Sequence, residues 1–263
     1  MTEDVLLEEI EDGVATLTLN RPRQLNALTV ALRKQLSDAL FRLAENDDVA
    51  VVIITGAGEK AFSAGVDLKE FETAPLNPDE LGPDSPMNRA FRALGKPTIA
   101  AVNGFAITGG MELALNCEIL AGSTNARFAD THARVGIVPG WGMSQILPRL
   151  IGPVRARFMS YTGNFVDAQT AKSWGLLLDV VSPAQLLPYC RKLGAEIASC
   201  DQATLRDVRY LISNGLASNL AEGLELEGRM SKAAIKRIDT SGFAATREAV
   251  MARGKRQQKS GSD

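Results

Sequence analysis

Two unbroken apolar runs constrain the fold of this chain more than any other feature of its sequence. Residues 49–55 read VAVVIIT and residues 98–102 read TIAAV, and each run ends at a glycine-containing turn. A run without polar alternation is typical of a strand that is covered on both faces, as in a parallel sheet. Strand patterns alternate with helical patterns through about residue 190, which predicts an α/β core with crossover connections.

Shorter patterns surround these two runs. Residues 14–20 alternate between the two faces of a strand, which Arg21 and Pro22 end. Residues 111–117 look helical, and residues 118–121 form a third apolar piece. A further helix is predicted that ends near Asn46. Its apolar face consists of leucines spaced four, four, four and three residues apart: Leu28, Leu32, Leu36, Leu40 and Leu43.

Two segments differ from this core. Residues 71–88 contain four prolines and several acids, which predicts a mobile loop bordering a site. Strand patterns stop after Leu187, and residues 205–216 and 220–238 look like charged helices, followed by a polar, frayed tail. We therefore predict a core at residues 1–199 and a mainly helical region at residues 200–263.

Composition excludes several kinds of chemistry. The 263 residues carry 29 Lys and Arg against 31 Asp and Glu, a balance that argues against nucleic-acid binding. Three cysteines without CxxC spacing exclude a disulfide framework and a cysteine-rich zinc site. A single histidine, His132, excludes a multi-histidine metal site, and no GxSxG motif supports a serine triad. Without a signal-peptide pattern or an apolar run of about 20 residues, we expect a cytoplasmic protein with no membrane partner.

Glycine turns after two of the strands suggest a site. Gly56, Gly58 and Ala61 superficially match a dinucleotide fingerprint, but small residues continue where a helix should begin. If neighbouring strands present residues 63–67 and 107–112 on one side, two backbone amides can converge on one oxygen, as in an oxyanion hole. Glu112 would then be a candidate base, and the alternative is a carboxylate that only stabilises the helix N-terminus.

Four sequence blocks, in this order, give the chain its resemblance to a known family. They are LNRP with LNAL at residues 19–28, TG with AFSAGVDL at residues 55–68, KPTIAAVNG with GGMELA at residues 96–114, and GIVPG at residues 136–140. Residues 167–171 resemble a further family segment. The chain resembles the enoyl-CoA hydratase/isomerase family, also called the crotonase family, over nearly its whole length.

The resemblance implies a spiral of ββα units and a helical C-terminal trimerisation region, so that the chain would self-associate as a trimer or hexamer. It implies an acyl-CoA thioester as the substrate, with CoA part of that substrate and neither a separate cofactor nor a metal. The Val66 and Gly109 amides would bind the thioester carbonyl, and Ala64 and Val66 would lie near the adenine.

Further residues are expected at the substrate by the same resemblance. Arg23 and Lys69 would lie near the CoA phosphates, although a solvated surface charge is the alternative for both. Trp141 stands where the family has a small residue, so it either narrows the acyl pocket or packs in the core. The expected substrate- and CoA-binding residues are Arg23, Leu25, Ala64, Asp67, Leu68, Lys69, Gly140 and Trp141.

One position departs from the family pattern. Relatives of the hydratase type use two glutamates, of which Glu112 matches the first, whereas His132 occupies the position of the second. An imidazole can transfer protons near neutral pH, so we hypothesise a catalytic Glu112–His132 pair. Asp130, two residues away, would share a face with His132 in an extended segment and orient it.

Several functions stay open at this stage. The leading interpretation is the hydration of trans-2-enoyl-CoA to 3-hydroxyacyl-CoA, of the kind found in fatty acid β-oxidation. If His132 is only part of the pocket wall, one acid–base group remains, which suits an enoyl-CoA isomerase or another enolate reaction such as a lyase or decarboxylase. A third interpretation is a catalytically weak acyl-CoA- or RNA-binding protein.

Overall fold

The structure is a computed structural model that describes residues 4–73, 77–238 and 243–260. Its chain divides into two compact units, Met1–Gln202 and Ala203–Asp263. The strands are β1 Leu6–Glu11, β2 Val14–Leu19, β3 Val51–Gly56, β4 Ala61–Ser63, β5 Thr98–Val102, β6 Phe105–Ile107, β7 Ile119–Ser123, β8 Arg127–Ala129, β9 Val166–Asp167 and β10 Asp179–Val181. The helices are α1 Val30–Ala44, α2 Leu68–Thr73, α3 Pro86–Leu94, α4 Gly109–Leu115, α5 His132–Val135, α6 Met143–Ile151, α7 Pro153–Thr162, α8 Ala168–Ser173, α9 Pro183–Ala198, α10 Gln202–Ala217, α11 Leu220–Ile235 and α12 Phe243–Ser260.

A six-stranded sheet in the order β1-β2-β3-β5-β7-β10 forms the first unit's centre, and every pair except β1 with β2 is parallel. The two apolar runs are the neighbouring strands β3 and β5, with Ile53 beside Ile99. Val52 and Ile54 join the larger core cluster on one face, whereas Val51 and Ile53 join a second cluster on the other face. The prediction of strands covered on both faces is confirmed.

The edge strand β1 was not predicted from the sequence. It pairs antiparallel with β2, and most of its residues are exposed. Three of its six residues are glutamates, and its apolar residues do not alternate regularly with polar ones, so the segment carries little strand signal of its own. The segment forms a strand because it pairs with β2, which its own sequence pattern does not predict.

A second, smaller sheet has the order β4-β6-β8-β9. Its first three strands are parallel, and each follows one long strand of the large sheet: β4 follows β3, β6 follows β5, and β8 follows β7. A helix comes after each short strand, namely α2, α4 and α5. This repeat of two strands and a helix confirms the expected α/β fold built from ββα units.

Residues 71–88, predicted as a mobile loop that borders a site, contain more regular secondary structure than their composition indicates. Helix α2 continues to Thr73, a single 3₁₀ turn spans Pro78–Glu80, and α3 begins at Pro86; residues 74–76 lie outside the described residues. Pro78 and Pro86 occupy first helical positions, where the missing N–H has no helical partner to lose. These prolines start helices here instead of breaking them.

The second unit is helical, with α11 and α12 and most of α10 in it. We predicted a frayed tail at residues 254–263, but α12 continues to Ser260, so residues 254–260 are helical. Residues 261–263 lie outside the described residues. Large apolar side chains of α10 and α11 are exposed, for example Leu216, Leu220 and Leu224. No described helix is long and apolar enough to cross a membrane.

Candidate active site

Three neighbouring parallel strands bring the predicted site residues to one edge of the small sheet. Residues 64–66 follow β4, Thr108 and Gly109 follow β6, and Thr131 and His132 follow β8. Because the carboxyl ends of parallel strands share one edge, the three segments meet there. They line a cavity together with Glu112 and Trp141.

The backbone amides of Val66 and Gly109 are free to bind a ligand. Gly65 O accepts from Leu28 N at 2.7 Å and Leu28 O accepts from Asp67 N at 3.4 Å, so the Val66 N–H between them points away from Leu28. Gly109 is the first residue of α4, where N–H groups lack helical partners. Among the described residues, neither amide donates to a protein acceptor.

Glycine is required at both turns for the two amides to approach each other. Gly65 adopts a φ of +91°, and a Cβ on it would lie 2.9 Å from Ile107 O and 3.1 Å from Gly109 N. A Cβ on Gly109 would lie 3.0 Å from Trp141 Cζ3 and 3.5 Å from Val66 N, inside the cavity. The two turns are therefore in contact, and the space in front of the amides stays open.

Thr108 holds the second turn in an unusual conformation. Its φ of +52° is in the left-handed region that favours glycine and is rare for a β-branched residue. Thr108 N donates to Ala129 O at 2.9 Å, and its hydroxyl lies 2.5 Å from the Thr131 hydroxyl. The residue before the Gly109 amide is thus bonded to the residue before His132.

Glu112 is fixed by backbone amides and faces the cavity. Its side chain is 2% exposed, and Oε1 accepts from Trp141 N at 2.8 Å and from Met143 N at 3.2 Å. These donors lie outside α4, so the carboxylate does more than interact with the N-terminus of its own helix. The other oxygen, Oε2, lies 3.5 Å from His132 Nε2.

His132 lies between two carboxylates. Its side chain is buried, with Nδ1 at 2.7 Å from Asp130 Oδ1 and Nε2 directed at Glu112. Burial disfavours the imidazolium, but the hydrogen bonds and charges of Asp130 and Glu112 outweigh that effect and raise the pKa of His132 to about 9. The imidazole is therefore protonated at neutral pH.

Asp130 reaches His132 by a different route from the one expected. The segment is not extended, because His132 begins the short helix α5. Asp130 Oδ1 accepts from both His132 N at 3.2 Å and His132 Nδ1, an arrangement that a turn permits and a strand does not. Burial raises the pKa of the Asp130 carboxyl, but its bonds to His132 and to the Ser160 side chain lower that pKa by more.

The predicted binding residues separate into two groups. Ala64, Leu68, Gly140 and Trp141 line the cavity. Within the described part of the chain, the other four lie outside its lining: Arg23, Leu25, Asp67 and Lys69.

Asp67 is occupied by other protein groups. Its Oδ2 accepts from Arg21 Nη1 at 2.9 Å and its Oδ1 from Lys69 N at 3.1 Å. Desolvation raises the pKa of the Asp67 carboxyl, but the hydrogen bond and charge of Arg21 and the backbone donors of Lys69 and Glu70 together lower that pKa by more. This ion pair holds the segment before α1 against the turn that follows β4.

Six lining residues were not found from the sequence: Leu81, Thr108, Thr131, Val135, Ile137 and Val138. Thr108 carried one usable signal, since a β-branched residue directly before two glycines is unusual in a turn. Leu81 and Thr131 carried none, because their places depend on how distant segments pack. Within the described ranges, no group of three or more His, Cys, Asp or Glu side chains is arranged to hold a metal ion.

The fold and site together place two unbonded backbone amides beside a buried carboxylate and a buried imidazole. A family model described as enoyl-CoA hydratase/isomerase matches residues 9–253, and the chain belongs to that family. The chain is 37% identical to "Probable enoyl-CoA hydratase 1, peroxisomal" of Arabidopsis thaliana, over 94% of this chain and 93% of the relative.

Two further comparisons agree. The chain is 35% identical to "Crotonyl-CoA hydratase" of Syntrophomonas wolfei, over 86% of this chain and 87% of the relative. A crystal structure of enoyl-CoA hydratase from Mycobacterium tuberculosis is similar with a TM-score of 0.73 and 43% identity, and the match covers 87% of this chain and 98% of that one.

Proposed function

We propose that this chain hydrates trans-2-enoyl-CoA to 3-hydroxyacyl-CoA through a thioester enolate, as in the β-oxidation of fatty acids. One observation carries the proposal: Glu112 and His132 lie 3.5 Å apart in a cavity that two unbonded amides also face. The relatives named as hydratases support the same reaction. CoA is part of the substrate, and the reaction as proposed uses no separate cofactor or metal.

The Val66 and Gly109 amides bind the thioester oxygen in this proposal. Addition of water to C3 moves negative charge onto that oxygen, and two preorganised N–H donors stabilise the resulting enolate. The removal of one such donor typically costs about 10²- to 10³-fold in kcat. The fixed backbone of both turns supplies the donors without reorganisation.

Glu112 is the base that activates water. Because Trp141 N and Met143 N hold its Oε1, its Oε2 is oriented towards the cavity and His132. A water bound at Oε2 gives its proton to Glu112 while its oxygen bonds to C3 of the enoyl group.

His132 is the acid that completes the addition. With a pKa raised to about 9 by its two carboxylate neighbours, it is protonated when substrate binds, and it can give the Nε2 proton to C2 of the enolate. Afterwards Glu112 holds the proton from water and His132 is neutral. Proton transfer from Oε2 to Nε2 restores the starting state.

The CoA portion is proposed to lie along the turn after β4. Arg23, in the segment before α1, and Lys69, in α2 directly after that turn, are exposed side chains, as phosphate ligands would be. Leu25 O accepts from Ala64 N at 3.0 Å, which places the Leu25 segment against the turn. Asp67 contributes through its ion pair with Arg21, which fixes the two segments together.

We also propose self-association as a trimer or hexamer, and a cytoplasmic location. Exposed leucines on α10 and α11 support the first, because such side chains are usually covered by a partner surface. Three free cysteines, Cys117, Cys190 and Cys200, support a reducing compartment.

The test is a spectrophotometric hydration assay on crotonyl-CoA with Glu112→Gln and His132→Ala. Each variant should lower kcat by about 10²- to 10⁴-fold, since each removes one proton-transfer group. Glu45→Gln, an exposed change at the end of α1, is the matched control and should retain wild-type turnover. Unchanged turnover in Glu112→Gln would refute the assignment, and isomerisation of trans-3-enoyl-CoA without hydration would refute the reaction.

A further inference from the structure

The indole of Trp141 separates two cavities. Trp141 is 3% exposed and, of the described residues, it alone lines both the reaction cavity and a second cavity that is open to solvent. Val30, Phe41 and Met87 give the second cavity apolar surface between α1 and α3, and the exposed side chains of Lys34, Asp38 and Arg89 also line it. Removing the indole would join the two spaces.

Trp141 is held in place by polar contacts on both sides. Its Nε1 donates to Glu80 O at 2.7 Å, and its carbonyl accepts from Asn116 Nδ2 at 3.0 Å. Behind it, Arg33 donates to the Glu80 carboxylate through Nε at 2.9 Å and Nη2 at 2.6 Å. Displacing the indole would leave the Glu80 carbonyl without this donor and would expose an apolar chain to a half-buried ion pair.

The cavity's shape decides which end of the substrate faces Trp141. The reaction cavity is open to solvent where its lining residues are exposed, at Leu68 directly after the turn that follows β4 (53%) and at Val138 (80%), and CoA is too large to be enclosed within it. CoA must therefore leave on the open side. The acyl chain, beyond the carbons that Glu112 and His132 reach, then points inward to the buried indole.

We propose that Trp141 closes the acyl end of the site, so that this chain acts on short-chain enoyl-CoA thioesters and excludes long ones. The inference rests on the proposed hydratase function and adds its substrate class. The second cavity is the space that a longer acyl chain would occupy if the indole were smaller.

The experiment measures kcat/KM for crotonyl-CoA, trans-2-hexenoyl-CoA and trans-2-decenoyl-CoA in wild type and Trp141→Ala. Wild type should favour crotonyl-CoA over decenoyl-CoA by at least about tenfold. Trp141→Ala should raise the decenoyl-to-crotonyl ratio by at least about tenfold, because each newly buried methylene contributes about fourfold. Equal wild-type rates on all chain lengths, or an unchanged ratio in the variant, would overturn the proposal.

Two further variants distinguish the role of the Trp141 ring from the roles of its Nε1 hydrogen bond and of the second cavity. Trp141→Phe keeps an aromatic wall, although it loses the Nε1 donor and one of the two fused rings, so its ratio should stay within about threefold of wild type. Phe41→Ala removes apolar surface from the second cavity alone, so it should reduce the long-chain gain in Trp141→Ala and change nothing when Trp141 is present. If Trp141→Ala does not fold, Trp141→Leu and the wild-type series decide the question.

The two proposals fail in different ways. If no chain length is hydrated, the proposed function is wrong and the chain-length inference falls with it. If hydration occurs but shows no discrimination by length, the hydratase assignment stands and only the role of Trp141 is wrong.

Discussion

His132 owes its protonation to residues on two different elements. Asp130 precedes it in the same turn, whereas Glu112 belongs to α4. Both carboxylates lower the free energy of the imidazolium, and together they overcome the cost of burial. The single histidine of the sequence is thereby turned into an acid that is charged through neutral pH.

Asp130→Asn tests this account. Asparagine can still accept from Nδ1 but carries no charge, so the pKa of His132 should fall below about 9. Because the protonated form donates to C2, activity is full below that pKa and is lost as pH rises through it. The alkaline limb of the kcat/KM profile should therefore move to lower pH.

The matched control for that profile is Asp48→Asn, a change at an exposed aspartate distant in sequence from the site. Its profile should coincide with that of wild type. An alkaline limb that stays in place in Asp130→Asn would show that Asp130 does not set the protonation of His132.

At the scale of elements, the N-terminus of α4 packs directly on the end of β4. A Cβ on Gly110 would lie 2.1 Å from Ser63 O, a separation that no side chain can occupy. Gly109, one residue earlier, faces the cavity and the Val66 amide instead. Two adjacent glycines thus serve two purposes: one allows the helix and strand to pack, and the other keeps the space in front of the Val66 amide open.

Alanine substitutions distinguish the two purposes. Gly110→Ala should reduce the free energy of unfolding by about 3 kcal/mol or more, since it forces backbone atoms apart. Gly109→Ala should cost less stability than Gly110→Ala, because its Cβ meets the Trp141 ring at 3.0 Å and not a backbone atom at 2.1 Å, but it should lower kcat by at least about tenfold, because its methyl group fills the space before Val66 N. Urea unfolding and the crotonyl-CoA assay measure the two effects, and a Gly109→Ala variant that is destabilised yet fully active would contradict this division.

At the scale of the molecule, the second unit carries apolar surface that one chain does not cover. Leu216 ends the apolar series on α10 and Leu220 begins α11, at 76% and 79% exposure. A helical unit of this kind is stabilised when copies of the chain bury these side chains together.

Native mass measurement tests the assembly. Wild type should have three or six times the 28.1 kDa of one chain. Leu216→Lys with Leu220→Glu should lower that mass, and both charges suit the helix ends at which they lie, so the helices themselves are not penalised. A wild-type mass equal to one chain would refute self-association.

Much of the fold could be predicted from local sequence. The two buried runs are strands because β-branched residues suit a sheet covered on both faces, and the leucine spacing of α1 follows helical geometry. The order of the family blocks also placed Glu112 and His132 at the positions where relatives of the hydratase type have two glutamates. Each of these features depends on residues close together in the chain.

Only the tertiary structure decided how these parts act together. The position of Asp130 depends on a turn where an extended segment was expected, and prolines at helix starts gave residues 77–88 a structure that composition suggested they lacked. The direction of the Val66 N–H depends on the pairing of its segment with Leu28. The pKa of His132 depends on Glu112 of α4. The position of Trp141 between two cavities depends on Glu80 and Arg33. The physical reason is the same in each case: hydrogen-bond partners, local dielectric and shared walls come from segments distant in sequence, which packing alone brings together.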